Sequence, residues 1–210
     1  MARDGYKFAI PPLVLGLVAL GIGGRLHGAI LIWFGAIFIL IGAFVVYFFR
    51  DPNRKIPGDS AALVSPADGR VMEVVDEELD GQRGKRISIF LAIWNVHVNR
   101  APATGRIERV DYKRGKFYAA MRSRASVENE QNVIYLSTNR GRIMFKQIAG
   151  LIARRVICWK RPAETLAMGE RFGLIRFGSR MDVWLPEDVE IVVAPGQHVA
   201  GGSTIVARWK

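Results

Sequence analysis

Residues 29–49 contain no charged side chain, and no other stretch restricts the possible folds so strongly. At ~1.5 Å of rise per residue, a helix over this run spans roughly 30 Å, the thickness of a bilayer core. A buried core helix is the weaker reading of this run. A second apolar run, residues 8–24, contains Pro11, Pro12 and several glycines. Arg25-Leu26-His27-Gly28 separates the two runs and forms a hairpin tip. Positive charge flanks the outer ends, with Arg3 and Lys7 before and Arg50, Arg54 and Lys55 after. The positive-inside rule places both ends in the cytoplasm. A cleaved signal peptide fits less well, because Gly23-Gly24-Arg25 is a poor small-residue site and a longer apolar run follows it. Residues 1–50 are therefore expected to be an N-terminal helical membrane hairpin, and residues 51–210 a separate domain on the cytoplasmic side of the cell membrane.

That second domain begins in a linker, Asp51-Pro52-Asn53-Arg54-Lys55-Ile56-Pro57-Gly58-Asp59, marked by its Pro, Gly and charge content. Short β-branched and aromatic runs follow at 86–93, 132–137, 141–148 and 180–185, punctuated by Gly and Pro. No long stretch shows a helical period with caps. Pro66-Ala67-Asp68-Gly69-Arg70-Val71-Met72-Glu73-Val74 is echoed by Pro102-Ala103-Thr104-Gly105-Arg106-Ile107-Glu108-Arg109-Val110, each a turn followed by an alternating strand. A third turn, Ala194-Pro195-Gly196-Gln197, precedes Ile205-Val206-Ala207. The expected fold is mainly β, a compact β-sandwich or barrel with hairpins similar to those of lipoyl and biotinyl carriers, with one or two short helices at most.

The net charge is +11, most of it in residues 51–210. A basic domain tethered beside a membrane suits an anionic lipid surface. Nucleic acid is not an expected partner, since no motif for it is present. The segment 113–124 is the most basic, and either meets lipid headgroups or is a solvated loop. The one cysteine, Cys158, excludes an intrachain disulfide and reads as a small buried hydrophobe between Ile157 and Trp159. With three histidines and neither His-x-His nor Cys-x-x-Cys, no metal site is expected.

The chemistry concentrates at Gly178-Ser179, inside Arg171-Phe172-Gly173-Leu174-Ile175-Arg176-Phe177-Gly178-Ser179-Arg180. Glycine takes backbone angles closed to other residues and leaves its carbonyl uncrowded. A serine one residue downstream can attack that carbonyl, so the peptide bond itself is a candidate substrate. Gly-x-Ser-x-Gly is absent, which argues against a hydrolase elbow. His97 ends an apolar strand in Trp94-Asn95-Val96-His97-Val98-Asn99-Arg100, where a side chain titrating near neutrality can move protons. A structural histidine fits that place as well. Asp68 is a favoured turn residue, yet the echoing turn carries Thr104, so the turn does not demand a carboxylate. Asp68 is thus a candidate orienter of a histidine, by the logic of serine triads.

Taken together, these residues resemble the phosphatidylserine decarboxylase proenzymes of the short prokaryotic class. The self-cleavage segment 171–180 carries the resemblance, with Ser65-Pro66-Ala67-Asp68-Gly69, Trp94-Asn95-Val96-His97-Val98-Asn99-Arg100 and Ala149-Gly150-Leu151-Ile152-Ala153-Arg154-Arg155 in the family's order. With the apolar N-terminus, the likeness covers nearly the whole chain. Larger members carry a second histidine shortly after the one matched by His97, where Asn99 and Arg100 stand here. They also cut within Gly-Ser-Thr. Gly202-Ser203-Thr204 is such a triplet, but a cut there frees only residues 203–210, too few to pack as a subunit, so Gly178–Ser179 is preferred.

The resemblance implies a self-processing, pyruvoyl-dependent decarboxylase. Ser179 attacks Gly178, with His97 as base oriented by Asp68. The ester eliminates, and the chain divides into a β chain of residues 1–178 and an α chain of residues 179–210 capped by a pyruvoyl group made from Ser179. These two chains stay together as a heterodimer, and further homo-oligomerisation is left open. A Schiff base between the pyruvoyl and the amine of membrane phosphatidylserine then allows loss of CO2, His97 returns a proton, and phosphatidylethanolamine leaves. A decarboxylase of another serine phospholipid, such as an archaetidylserine-like lipid, would look much the same. A non-catalytic membrane-tethered carrier or lipid-binding module is the remaining alternative; carrier domains need a lysine at a hairpin tip, and none of these turns has one.

Overall fold

In a computed structural model of the chain, residues 1–122, 124–151, 155–176 and 178–210 are described. Ser123 of the basic segment, residues 152–154 of the matched stretch 149–155 and Phe177 of the cleavage segment lie outside them. The chain divides into two compact units, Met1–Pro52 and Asn53–Lys210.

The first unit is a pair of helices, α1 (Arg3–Leu26) and α2 (Ala29–Phe48), both long and apolar enough to cross a membrane. His27 ends α1 in the left-handed region at φ 52°, and Gly28 leads into α2. Pro11 and Pro12 sit inside α1 without ending it. Small residues form the seam between the helices. A Cβ on Gly35 would come within 2.7 Å of Leu20, and one on Gly42 within 2.5 Å of Leu13, so glycine allows the backbones to close up. The outward faces carry exposed Leu17, Leu26, Ile30, Trp33 and Leu40. A water-soluble helix pair would bury such side chains, whereas hydrocarbon would solvate them.

The second unit is mainly β. Its strands are β1 (Ala62–Val64), β2 (Gly69–Leu79), β3 (Gln82–Leu91), β4 (Val98–Arg100), β5 (Gly105–Lys113), β6 (Gln131–Ser137), β7 (Arg142–Ile148), β8 (Val156–Cys158), β9 (Thr165–Leu166), β10 (Arg171–Ile175), β11 (Ser179–Pro186), β12 (Val189–Ile191), β13 (His198–Val199) and β14 (Ile205–Trp209). One four-residue helix, α3 (Ala125–Glu128), interrupts them. The four runs singled out by composition became β3, β6, β7 and β11. They are consecutive partners in an eight-stranded sheet of order β13-β2-β3-β11-β7-β6-β5-β9. Two three-stranded sheets, β1-β14-β12 and β4-β10-β8, complete the unit.

Alternation along β11 sorts the large sheet's faces. Met181, Val183 and Leu185 join Ile87, Ile89 and Leu91 of β3 in the core, where Leu63, Phe172, Val206 and Ala207 of the smaller sheets meet them. The other face carries Arg180, Asp182 and Trp184. The echoed sequence segments are also structurally alike. Gly69 and Gly105 open long strands, and each strand shifts register after two residues, between Val71 and Glu73 and between Ile107 and Arg109. Val64 N–H donates to Pro102 O and Arg100 N–H to Pro66 O, both at 2.9 Å, so the two turns exchange hydrogen bonds. This reciprocity ties the turn bearing Asp68 to β4, the strand that follows His97.

Candidate active site

Ser179 is the first residue of β11, stands opposite Leu91 of β3 and is fully buried. It shares the inward face with Met181 and Val183, because strand side chains repeat every two residues. Its Oγ has no hydrogen-bond partner among the described residues. An orphaned hydroxyl in a core costs roughly 1–3 kcal/mol and calls for an explanation. Gly178, immediately before it, has φ +63°, and nothing lies within 4 Å of where its Cβ would be. Glycine is required at that position by conformation rather than by space.

His97 arrives by a short route from β3, the strand paired with Ser179. β3 ends at Leu91, and a turn closed by Asn95 N–H to Ala92 O and Ala92 N–H to Asn95 Oδ1, at 2.9 and 2.8 Å, reverses the chain. His97 is buried, and its carbonyl accepts Ile175 N–H at 3.2 Å, which extends the β4–β10 ladder back to it. Asn99, two residues on, is fully buried within β4. Its Oδ1 accepts a 2.9 Å hydrogen bond from Gln147 Nε2, which places the Asn99 side of β4 against the inward face of the large sheet. Gln147 pairs with Met181, so it is a diagonal neighbour of the Ser179 position, ~7–8 Å away by sheet geometry. The sequence alone had not singled out Gln147.

The direction of this amide chain is fixed by a backbone group. Gln147 Nε2 also donates to Ile157 O at 3.1 Å, so Gln147 Oε1 must be the end that accepts Asn132 Nδ2 at 3.0 Å. Asn99 therefore presents Oδ1 to Gln147 and keeps its amino group as a donor. That Nδ2 is buried with no partner among the described residues. Ser179, His97 and Asn99 are each fully buried, and Gln147 links Asn99 to the sheet face on which Ser179 stands.

Asp68 sits in the neighbouring turn, but its carboxylate is already engaged. Arg54 Nη2 reaches Oδ1 and Oδ2 at 2.9 and 2.8 Å, and Gly201 N–H donates to Oδ1 at 2.8 Å. An orienting bond from Asp68 to His97 therefore has a competitor that the linker residue Arg54 supplies. The Gly202-Ser203-Thr204 triplet forms a bonded turn. Gly202 N–H donates to Ser65 O at 2.8 Å, and Thr204 Oγ1 accepts Ala200 N–H at 2.9 Å.

Behind Ser179, on the outward face, lies a network of charges. Arg180 is almost fully buried; its Nε donates to Asp182 Oδ1 at 2.6 Å, and its Nη2 to Glu73 Oε1 at 2.9 Å and Ser88 Oγ at 2.7 Å. Arg86 bridges Glu73 at 2.8 Å and also binds Glu77. Ser126 of α3 donates to the second oxygen of Asp182 at 2.8 Å. The hydrogen bond from Arg86, with the charges of Arg86 and Arg180, holds the Glu73 carboxyl below its usual range against a smaller opposing effect of burial. Burial pulls the Arg86 guanidinium down, but Glu73, Asp182 and Glu77 outweigh it and raise it overall. The network fixes the start of β11 from the side opposite Ser179.

The basic segment is more structured than a solvated loop. Lys116 pairs with Glu128 at 2.9 Å, Tyr118 exchanges hydrogen bonds with Asn129, and Ala120 is buried while Met121 is exposed. Trp94 and Met121 line an open cavity of about 690 Å3 together with Arg70, Phe90 and His198. Cys158 is half-buried, burial raises its thiol pKa, and its thiol meets Lys160 O at 3.5 Å. Among the described residues, no group of three His, Cys, Asp or Glu forms a metal-ligand set.

A sequence model of the family described as phosphatidylserine decarboxylase matches residues 41–207, from the end of α2 through almost all of the β unit. The chain belongs to the phosphatidylserine decarboxylase family. It is 44% identical over 211 residues to the phosphatidylserine decarboxylase proenzyme of Pelobacter propionicus, covering 99% of this chain and 96% of that one. The proenzyme of the same name from Solibacter usitatus is 52% identical over 170 residues, 81% of each chain. That from a Wolbachia of Brugia malayi is 42% identical over 215 residues, 98% of this chain and 90% of the relative. The family match includes both Gly178 and Ser179, His97 and Asp68.

Proposed function

We propose that this chain is a self-processing decarboxylase that converts phosphatidylserine to phosphatidylethanolamine and CO2, using a pyruvoyl group made from Ser179. The observation that carries the reading is the junction itself: a left-handed glycine followed by a buried serine hydroxyl with no partner among the described residues, in a family whose members are called proenzymes. Ser179 Oγ attacks the Gly178 carbonyl and displaces the peptide nitrogen, giving an ester. His97, buried and brought back by the turn at 92–95, takes the hydroxyl proton. Elimination across Cα and Cβ of residue 179 releases the carboxylate of Gly178, and hydrolysis of the resulting enamine releases ammonia. A buried hydroxyl without a partner among the described residues suits a carbonyl group at residue 179. When formed, the pyruvoyl supplies a carbonyl that captures the substrate amine and accepts the electrons freed with CO2.

The chain's own residues supply the rest. The core around Ser179 excludes water from the reacting carbon, His97 holds and returns protons, and Asp68 positions the His97 segment through the turn that bonds Pro66 O to Arg100 N–H. α1 and α2 anchor the chain in the membrane, and the flanking positive charge puts the β unit on the cytoplasmic side, where phosphatidylserine lies in the same bilayer. Ser179→Ala tests the reading. The variant should remain one full-length chain and release no CO2 from phosphatidylserine vesicles in detergent. A processed or active Ser179→Ala chain contradicts it.

A further inference from the structure

β7 and β11 pair with Arg180 opposite Ile148 and Met181 opposite Gln147. Carried two positions past its last rung, this register sets Gly178 opposite Gly150. In an antiparallel ladder the N–H and C=O of one residue face the same neighbour, and successive residues alternate sides. Ala149 donates its N–H to Glu130 O at 2.9 Å, on the β6 side. Gly150 therefore turns its own N–H toward β11 and Gly178.

A buried amide fixes this peptide in place. Asn129 Nδ2 donates to Ala149 O at 2.7 Å and to Tyr118 O at 2.8 Å, while Asn129 Oδ1 accepts Tyr118 N–H at 2.9 Å. The peptide unit is planar and trans, so drawing Ala149 C=O toward Asn129 aims the Gly150 N–H the opposite way. Gly178 leaves the ladder with φ +63°, and its carbonyl oxygen lies beside the Gly150 Cα, on the side where a Cβ would stand. A Cβ on Gly150 would overlap the Gly178 oxygen and approach the carbonyl carbon to 2.9 Å and Ala120 Cβ to 3.6 Å. Only glycine leaves room for the bond that Ser179 is to attack.

We propose that the backbone N–H of Gly150 is the donor that stabilises the Gly178 oxygen as it becomes negative during self-cleavage; this rests on the reading that the Gly178–Ser179 bond is cut. Ser179 Oγ bonds to the Gly178 carbonyl carbon, its proton passes to the base, and the carbonyl π pair moves onto oxygen. When that pair returns, the C–N bond breaks and the leaving nitrogen takes a proton. In the uncut chain the two groups are neighbours without a hydrogen bond, and the N–H on the β11 side bonds to the oxygen as charge develops on it. Gly150 and Gly178 are thus glycines for different reasons, one to admit the carbonyl and one to adopt its angle.

The test follows the rate of chain cutting in full-length Gly150→Ala against wild type, with uncut Ser179→Ala as the stability reference. Gly150→Ala should cut about 10²–10³-fold more slowly, melt near Ser179→Ala, and resist hydroxylamine because no ester accumulates. A folded Gly150→Ala chain that cuts at the wild-type rate overturns the assignment. So does one that hydroxylamine cleaves at residue 178, since its block lies after the acyl shift. Asn129→Asp keeps the acceptor for Tyr118 N–H but loses the donor to both Ala149 O and Tyr118 O. It should cut about tenfold more slowly, the scale of one oriented hydrogen bond. If Gly150→Ala does not fold, a wild-type rate in Asn129→Asp overturns the proposal. A wild-type chain left uncut between 178 and 179 instead defeats the underlying reading, so the two failures are distinct.

Discussion

Ser179 and Leu91 form the first rung of the ladder between β11 and β3, so the Gly178–Ser179 bond lies immediately outside the strand. Cutting it removes no rung. Residues 179–210 also contain β12, β13 and β14, and β11 is bonded on both edges, to β3 and β7. The fragment should stay bound after processing. Gel filtration in mild detergent should keep both pieces in one peak, and only denaturant should part them. A small piece that elutes alone from the native protein contradicts this arrangement.

His97 enters the account as the proton carrier for the attack of Ser179. His97→Ala should slow self-cleavage by about 10²–10⁴-fold, the usual range for loss of a general base. Full-length chain should then persist in a time course on denaturing gels while the melting temperature changes little. Processing at the wild-type rate would remove His97 from the first step and leave it only a role in turnover.

Arg54 and Asp68 are both largely buried and bonded through two oxygens. Among the described residues, Arg54→Met leaves Asp68 with only the Gly201 N–H, and should cost about 2 kcal/mol in denaturant unfolding, the scale of a hydrogen bond to a charged group. If Asp68 orients His97, the released carboxylate should also change the pH dependence of self-cleavage. Lost stability with an unchanged pH profile would mark the pair as structural.

Glu73 gives a pH dependence whose direction follows from its neighbours. Its carboxyl is held below the ordinary range, chiefly by the hydrogen bond from Arg86. Such a group stabilises the fold fully above its unfolded-state pKa, ~4.3, and that contribution disappears as pH falls through the lower folded value. Uncut Ser179→Ala should therefore lose melting temperature below about pH 4, and Glu73→Gln in the same background should flatten that part of the curve. The effect is modest, because the Glu73 side chain is 40% exposed and solvent screens it. A Glu73→Gln curve that falls as steeply as its parent would count against the network.

The strands that could be read from composition are those whose side chains alternate against one core, β3, β6, β7 and β11. The turn echo was also readable, because Gly69 and Gly105 open strands with the same bulge. Ser179 and Gly178 were visible because their chemistry is local. The amide chain was not, since Gln147 and Asn99 are 48 positions apart and nothing in either neighbourhood announces the other. Arg180 and Glu73 are separated by 107 positions, and on sequence alone each reads as an exposed charge. Arg54 looked like linker and membrane-flanking charge, and only the fold shows it gripping Asp68. Gly150 was one glycine among many until the carbonyl above it was seen.

Intact mass of the purified wild-type chain is the most direct measurement. The account predicts two pieces, residues 1–178 with an ordinary carboxyl end, and residues 179–210 whose first residue carries a ketone in place of its amino group. A single unbroken chain, a small piece beginning at residue 203, or a free amino group on residue 179 would contradict it.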